Sequence, residues 1–205
     1  MEYKCESKYS KQDTNPEDLK VIYKLTNSKD NSYILKVYKE DDDTFKLVFS
    51  DFKNRYYSHS VLSKTDFFKA ETIHLECNYW QDQDAEALYD KAKKVAENFQ
   101  PFQKLSDTII NQKTYQQSIS RRKYKEGVRN RESEITLLME ENTSFHLPII
   151  NSEVDYFFSN NNDIPRGIPK IEYIQATHNE TYSKVELVSF HAYTKQVTIN
   201  PNCEL

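Results

Sequence analysis

The chain has 205 residues, enough for one large domain or two small ones with a sizeable buried core. Its 28 lysines and arginines against 32 aspartates and glutamates give a net charge of −4, which argues against attraction of the whole protein to nucleic acid or to an anionic membrane. Gly127 and Gly167 are the only glycines, which excludes P-loop, dinucleotide-binding and kinase phosphate loops and the nucleophile elbow of α/β-hydrolases.

The N-terminal segment is polar and highly charged. Residues 1–18 show no hydrophobic periodicity and end near the Asn15-Pro16 pair, so we expect a flexible N-terminal arm there. We expect neither a signal peptide nor contact with a membrane, because no apolar stretch reaches the roughly 18 residues of a membrane helix. The three scattered cysteines do not resemble a disulfide framework. We therefore expect an intracellular protein, cytoplasmic or nuclear.

Alternating apolar residues predict a series of antiparallel strands in the first part of the chain. These strands are predicted over 19–26, 33–39, 44–50, 55–61 and 73–79. The acidic residues 40–43 separate two of them, a pattern that predicts a hairpin with a four-residue loop. Ser63 and Asp66 have the spacing of a helix N-cap, which predicts a short helical turn after the fourth strand.

The best amphipathic pattern in the chain covers residues 82–99. Its apolar residues recur at helical spacings, and its acidic residues precede its lysines, as the helix dipole favours. Pro101 limits the end of this helix. A weaker helical pattern continues through Phe102 and Leu105, so the two stretches together predict a helical insertion over 82–119.

Strand patterns return in the last third of the chain. They predict strands over 135–140, 144–150, 171–177, 184–192 and 197–200. The first two flank Asn142 and Thr143 as in a hairpin, although Pro148 restricts its strand to a sheet edge. The predicted fold class is therefore α+β. An antiparallel sheet or sandwich with an amphipathic helix forms a head over 19–150, and a second β-rich portion follows over 151–205.

The strongest local charge signal is a basic cluster at 121–131. Six cations and one acid, Glu126, give +5 within eleven residues; the cations are Arg121, Arg122, Lys123, Lys125, Arg129 and Arg131. Guanidinium groups bind phosphate oxygens in pairs, and Tyr115 and Tyr124 could stack on a base, so these residues are candidates for contact with nucleic acid. A solvated helix end or loop and docking to an acidic protein surface explain the cluster equally well.

Other polar constellations do not form a catalytic or metal site. The acidic run 40–43 lacks the alternating aspartates and the glycine of an EF-hand loop. His74 and Cys77 form an H-x-x-C pair, but no second pair exists to complete a tetrahedral zinc site. No spacing connects a histidine to a nucleophile. We therefore expect no metal, no cofactor and no catalytic residue.

The segment 33–61 carries a recognisable arrangement. A strand ends in Ser50-Asp51, and the aromatic pair Tyr56-Tyr57 follows. This arrangement resembles the head domain of the end-joining scaffold superfamily, which includes XLF (Cernunnos), PAXX and the centriolar cartwheel proteins. The resemblance implies a small antiparallel β-sandwich with a helical insertion, which acts as a non-enzymatic scaffold in a DNA-associated or ciliary-centriolar complex.

The resemblance extends to elements on either side of the basic cluster. The amphipathic helix near 85–99 resembles the helical insertion of such heads, and the strands at 135–140 and 144–150 resemble those that close them. Residues 151–205 depart from the family, because they contain no heptad run. The coiled-coil dimerisation of that family is therefore not expected.

The sequence favours a non-catalytic scaffold or accessory subunit of a larger complex that contacts other protein subunits. Its 15 tyrosines suit protein–protein interfaces, because each combines an apolar ring with a polar hydroxyl group. The alternative is a nucleic-acid-binding subunit that uses the 121–131 cluster to hold phosphates. A third class, an enzyme that needs no glycine motif, such as a metal-dependent nuclease, would be recognised by turnover that a chelator abolishes.

Overall fold

The structure is a computed structural model that describes residues 2–8, 20–75, 83–126, 129–159, 164–176, 182–192 and 195–199. The strands are β1 (Glu2–Lys8), β2 (Lys20–Leu25), β3 (Tyr33–Lys39), β4 (Thr44–Asp51), β5 (Tyr56–Ser63), β6 (Thr72–Leu75), β7 (Gln103–Lys104), β8 (Thr108–Ile110), β9 (Lys113–Glu126), β10 (Arg129–Met139), β11 (Pro169–Ala176), β12 (Tyr182–Ser189) and β13 (Gln196–Ile199). The helices are α1 (Lys64–Lys69), α2 (Gln83–Ala96) and α3 (Glu153–Ser159). Antiparallel sheet dominates, which confirms the predicted α+β class.

One long sheet contains eleven of the described strands. Its order is β5-β4-β3-β2-β1-β12-β11-β10-β9-β7, and β8 pairs with β9. All pairs in this sheet are antiparallel. Strand β1 lies between β2 and β12, so it joins a meander of β2–β5 to a second meander of β9–β12. The sheet continues across residue 150, where the sequence suggests a boundary between two portions.

The outer face of the sheet, which carries Leu35 and Val37, is covered by a second layer. Strands β6 and β13 form a separate two-stranded parallel sheet, and α1 lies beside it. Phe67 of α1 and Ile73 of β6 are buried against the outer face. The Phe67 ring meets the Phe45 ring edge to face at 5.3 Å. Burial of each such side chain stabilises the fold by about 1.5–3 kcal/mol, so this layer is a major part of the core.

Helix α1 begins as its capping residues predict. The Ser63 hydroxyl accepts a hydrogen bond from the backbone N–H of Asp66 at 3.0 Å, and it donates to the Asp66 carboxylate at 2.6 Å. This reciprocal arrangement satisfies a backbone donor that would otherwise lack a partner at the start of the helix. The predicted short helix is confirmed.

The inner face of the sheet, which carries Ile34 and Lys36, is partly covered by residues 143–159 and 164–168. Ile150 is buried against Ile34, and Tyr156 of α3 stacks on Phe52 at 6.0 Å. The Leu147 backbone N–H donates to the Ser28 carbonyl at 3.0 Å. These contacts fix the covering segment to β3, to Phe52 after β4 and to the loop between β2 and β3.

Gly167 is required where this covering segment turns. Its φ is +120°, and a Cβ there would lie 3.0 Å from Oγ1 of Thr143. The Thr143 hydroxyl is buried, donates to the Glu140 carbonyl at 2.8 Å and accepts from the Ile168 N–H at 2.9 Å. The hydroxyl therefore cannot move away without loss of hydrogen bonds, and the turn needs a residue without a side chain.

Two predictions of local structure are wrong. Helix α2 confirms the helix predicted over 82–99, but the helical pattern from 102 to 119 covers β7, β8 and the first half of β9. Apolar residues three and four apart mimic a helix there, whereas the chain turns tightly at Asn111 and Gln112, both at positive φ, as in a type I′ hairpin. Residues 144–150 form no strand, because they cross the inner face and pair with a loop instead.

Two further expectations are corrected at the ends of the chain. Residues 2–8, which belong to the expected flexible arm, form β1 and pair with both β2 and β12. The predicted strand at 197–200 is present as β13, but it pairs with β6 of the predicted head rather than within the predicted β-rich portion over 151–205. Alternation predicts that a strand exists, while its partner depends on which distant face has apolar surface to cover.

Candidate functional site

The predicted basic cluster lies on the hairpin of β9 and β10, which we call the basic hairpin (residues 121–131). Its register pairs Glu126 with Arg129 and Lys123 with Glu132. The pairing of β10 with β11 begins only at Ser133. In the described part of the chain, the end of the hairpin is thus a two-stranded ribbon that projects beyond the rest of the sheet.

Two cations of the basic hairpin are exposed beside glutamates. Arg121 Nε lies 3.3 Å from Glu134, and Lys123 Nζ lies 3.3 Å from Glu132. Their side chains are 68% and 62% exposed, so each pair contributes at most about 1 kcal/mol, and both cations stay accessible to solvent. Three other predicted site residues have side chains outside the described part of the structure, namely Lys125, Arg129 and Arg131.

Arg122 points to the opposite face from its two neighbours. Its Nη2 donates to Asp155 of α3 at 2.9 Å. The side chains of Arg122 and Asp155 are 16% and 15% exposed. The guanidinium also lies 4.2 Å from the centre of the Phe99 ring. The structure therefore separates Arg122, an inward-facing residue, from the exposed cations of the cluster.

Arg122 and Asp155 border a cavity between the inner face and its covering segment, which we call the charged cavity. Its volume is about 30 Å³. Its polar lining comes from five residues on different elements, namely Lys24, Arg122, Asn151, Asp155 and Glu172. Strands β2, β9 and β11 all reach this one cavity although other strands separate them, so the sheet must curve around it.

Glu172 of β11 is the unusual titratable group of the charged cavity. Burial raises the pKa of its carboxyl group, and the charge of Asp155 adds to this effect. The cations Lys24, Arg122 and Lys36 act in the opposite direction but do not cancel the cost of burial. The structure thus favours a protonated Glu172 over a wider pH range than an exposed glutamate would have.

Arg122 Nε and Asn151 Oδ1 are buried at the cavity and have no hydrogen-bond partner among the described residues. One is a donor and the other an acceptor, so water in the cavity can satisfy both. The volume suits about two waters, whereas small-molecule sites need roughly 300–1,000 Å³. The charged cavity is therefore suited to hydration and to holding α3 on the sheet rather than to binding a substrate.

A different part of the inner face remains accessible, and we call it the open patch (Ile22, Tyr38, Lys46, Val48, His59 and Val61). The strand register places Ile22, Tyr38, Lys46 and Val61 side by side across β2 to β5. Val48 and His59 form the adjacent row. Val61 is 60% exposed, Lys46 and His59 are exposed, and the other three are half-buried.

Exposed Glu40 follows Tyr38 by two residues, so strand alternation places one described acid beside the open patch on the same face. Asp51 is the one acid in the sequence of β2–β5, and strand alternation places it on the outer face with Phe49. Its carboxylate accepts hydrogen bonds from Asn54 there. The inner face of these strands also carries lysines whose side chains are described: Lys24 is buried, Lys36 donates to the Asn151 carbonyl, and Lys46 is exposed.

The remaining polar constellations have local structural roles. In the acidic loop, Asp41 accepts from the backbone N–H groups of Asp43 and Thr44 at 2.8 and 2.7 Å, and these bonds hold the pKa of Asp41 below its usual value. His74 contacts Thr198 at 2.7 Å, and Cys77 lies outside the described residues. Among the described residues, no three histidine, cysteine, aspartate or glutamate side chains gather as a metal site would require.

None of the helices in the described part of the chain combines the length and apolar character needed to span a membrane.

Sequence reasoning did not identify Asn151, Asp155 or Glu172 as a group. They come from separate elements, and no spacing along the chain connects them. A partial signal was available, since Glu172 interrupts the apolar pattern of β11 and Lys36 interrupts that of β3. A charged residue within an apolar strand suggests a buried partner, but it does not say which one.

Comparison of the chain with protein-family models, with curated proteins and with solved structures identifies no match.

Proposed function

We propose that the protein is a non-catalytic scaffold or accessory subunit of a larger intracellular complex, and that it acts through contacts with other protein subunits. The open patch is the observation that carries the proposal. It groups exposed and half-buried apolar and aromatic side chains on adjacent strands, a composition typical of protein–protein surfaces. The small volume of the charged cavity is also in keeping with a binding role rather than turnover.

The resemblance of 33–61 to the end-joining scaffold heads belongs to the same proposal. A protein of that superfamily would also present a β-rich head to its partners and perform no catalysis. The proposal includes a cytoplasmic or nuclear location, because the three scattered cysteines suit a reducing compartment.

The proposal is tested by light scattering after size-exclusion chromatography and by affinity purification of the tagged full chain from its native cells. We expect the purified chain to be well folded and to recover at least one partner in stoichiometric amount. A folded monomer that recovers no stoichiometric partner after chemical crosslinking would contradict the scaffold function.

The basic hairpin favours a second candidate function, that of a nucleic-acid-binding subunit. A two-stranded ribbon fits the major groove of DNA; Lys123 is exposed on this one, and Arg121 is exposed at its base, where Glu134 pairs with Gln175 of β11. Arg122 does not belong to the candidate phosphate contacts, since it is directed towards Asp155.

This second function predicts a specific salt dependence. Reversal of both charges, Arg121→Glu with Lys123→Glu, should weaken binding to a DNA or RNA duplex and reduce the salt slope by about 2 for two lost phosphate contacts. The matched control reverses Lys53 and Lys104, two exposed lysines elsewhere. Equal salt slopes for the two double variants would remove the basic hairpin from consideration.

A further inference from the structure

We propose that β13 is an exchangeable strand, which docks either on its own molecule or on a second copy of the chain. Its docking site beside β6 is called the strand groove and is lined by Phe67, Ala70, Ile73, His74 and Leu75. Exchange joins two copies into a dimer in which each copy supplies β13 to the other. This self-association does not depend on the scaffold function.

The backbone of β13 fits the strand groove as one more strand. β13 pairs in parallel with β6 along its whole length, from Gln196 opposite Thr72 to Ile199 opposite Leu75. The Gln196 N–H also donates to the Glu71 carbonyl at 2.8 Å, just before β6 begins. These hydrogen bonds fix both the direction and the register of any strand that takes this place.

The side chains around β13 add contacts that select its sequence. Val197 and Ile199 pack against the apolar cluster that includes Phe67. Lys195 Nζ donates to the carbonyl of Ala70, the residue that caps the end of α1, and lies 5.6 Å from the centre of the Phe67 ring. A second copy carries the same residues in the same order, so its β13 makes the same contacts in this groove.

β13 is less deeply buried than the strands of the long sheet. Val197 and Ile199 are half-buried, while Gln196 and Thr198 are exposed. β4, in contrast, has three buried side chains and a paired strand on each side. Elements with few buried apolar side chains and exposed backbone hydrogen bonds open locally at a low cost in free energy. β13 therefore leaves its groove without unfolding of the long sheet.

The link between β12 and β13 has little length to spare. Ser189 ends β12 and Gln196 begins β13, and residues 190–192 of the link are exposed. Seven Cα steps reach at most about 25 Å. The cluster under β13 includes residues of β3, which lies three strand spacings from β12 and one layer below, at about 18 Å in a straight line. Short hinge loops of this kind favour exchange of a terminal element between copies.

Three link lengths test the exchange, by light scattering after size-exclusion chromatography of the full chain at several concentrations. Deletion of residues 190–192 leaves a reach of about 14 Å, too short for docking within one molecule. The concentration at which half of this variant is dimeric should fall at least about tenfold below that of the unaltered chain. Insertion of Gly-Ser-Gly-Ser after Ala192 should raise it about tenfold. A folded deletion variant that stays monomeric at all concentrations would overturn the proposal.

A disulfide test identifies the strand that is exchanged. His74→Cys and Thr198→Cys are introduced into separate chains whose three native cysteines are replaced by serine, because these two residues are register partners. Oxidation of an equal mixture should give a covalent heterodimer, and its yield should rise with concentration. The control mixture replaces His74→Cys by Lys53→Cys, at an exposed position outside the strand groove. Equal yields from the two mixtures would reveal random collision and would contradict exchange.

Two double substitutions distinguish the strand groove from any other dimer surface. Val197→Asp with Ile199→Asp places charges against the apolar cluster and should abolish the dimer. Gln196→Asp with Thr198→Asp is the matched control at the exposed positions of the same strand and should keep it. A dimer that survives the first double substitution forms through another surface, and strand exchange is then wrong. Recovery of a partner from native cells tests the scaffold function alone, so either proposal can fail without the other.

Discussion

Arg122 of β9 donates through Nη2 to Oδ1 of Asp155 in α3 across 2.9 Å, although 33 residues separate them in the chain. The pair connects a strand near one end of the long sheet to the helix that covers its inner face. Both side chains are largely removed from solvent. The position of α3 therefore depends on a charge pair in addition to the apolar contacts of Phe158 and Ile150.

Replacement of Arg122 by alanine should destabilise the protein by about 2–3 kcal/mol. Removal of one partner from a buried pair costs about 3–5 kcal/mol, and the remaining exposure of the two side chains reduces this cost. Chemical denaturation monitored by fluorescence measures the free energy of unfolding. Arg121→Ala is the control, and its cost should stay below about 1 kcal/mol because its pair with Glu134 is exposed. Similar losses of unfolding free energy in the two variants would show that burial of Asp155 does not require Arg122 as its partner.

Replacement of Glu172 by glutamine should stabilise the protein at neutral and alkaline pH. The pKa of Glu172 is raised in the folded state, so the unfolded chain releases its proton at a lower pH than the folded chain does. The stability of the unaltered protein therefore falls as pH rises from the unfolded pKa, about 4.3, to the higher folded pKa. The loss is about 1.4 kcal/mol for each pH unit by which folding raises the pKa.

The glutamine variant cannot ionise and should escape that loss. Its stability advantage should be absent below pH 4 or so and grow as the pH rises above the unfolded pKa. Urea denaturation at several pH values measures the difference. An advantage of the same size at all pH values would indicate a packing effect, since Lys24, Lys36, Arg122 and Asp155, which act on Glu172, are present in both proteins.

Replacement of Gly167 by alanine should cost about 2 kcal/mol or more. A residue with a side chain at φ +120° is strained, and the new Cβ would meet Oγ1 of Thr143 at 3.0 Å. Thermal unfolding should show a lower midpoint for this variant. Arg166→Ala, at the exposed neighbouring position, should change the midpoint little. An unchanged midpoint for Gly167→Ala would mean that the turn relaxes without loss of the Thr143 hydrogen bonds.

Replacement of Ser63 by alanine should cost about 1 kcal/mol, because it removes the hydrogen bond to the Asp66 N–H at the start of α1. Thr65→Ala within the same helix should have the opposite sign and stabilise by a few tenths of a kcal/mol, since alanine has the higher helix propensity and Thr65 is exposed. Equilibrium denaturation of both variants gives the comparison. A loss in both would point to α1 packing rather than to the cap.

Sequence patterns predicted the elements whose structure is decided locally. The two-residue alternation of β3 and β4 gives their bounds closely, because one face of each strand is buried and the other is more polar. The capping pair Ser63 and Asp66 likewise predicted α1. The segment 144–150 shows the same alternation, yet it crosses the inner face of the sheet and hydrogen-bonds to a loop instead of a strand. No local sequence pattern predicts this long-range contact.

The charged cavity could not be predicted for a related reason. Lys24, Arg122 and Glu172 belong to three strands that other strands separate, and curvature of the sheet brings them together. The composition of the basic hairpin was visible in the sequence, but the inward direction of Arg122 follows from a strand in place of the expected loop or helix end. The face on which a charge lies depends on the element that carries it.

The position of β1 between β2 and β12 has a consequence for how the chain acquires its structure during synthesis. One edge of β1 can pair with β2 early, but its other edge must wait for β12, which follows more than 170 residues later. Until then the first meander presents an unpaired edge to its surroundings. The merging of the two meanders into one sheet is therefore a late and slow event, at which a nascent chain of this protein is most exposed to wrong strand partners.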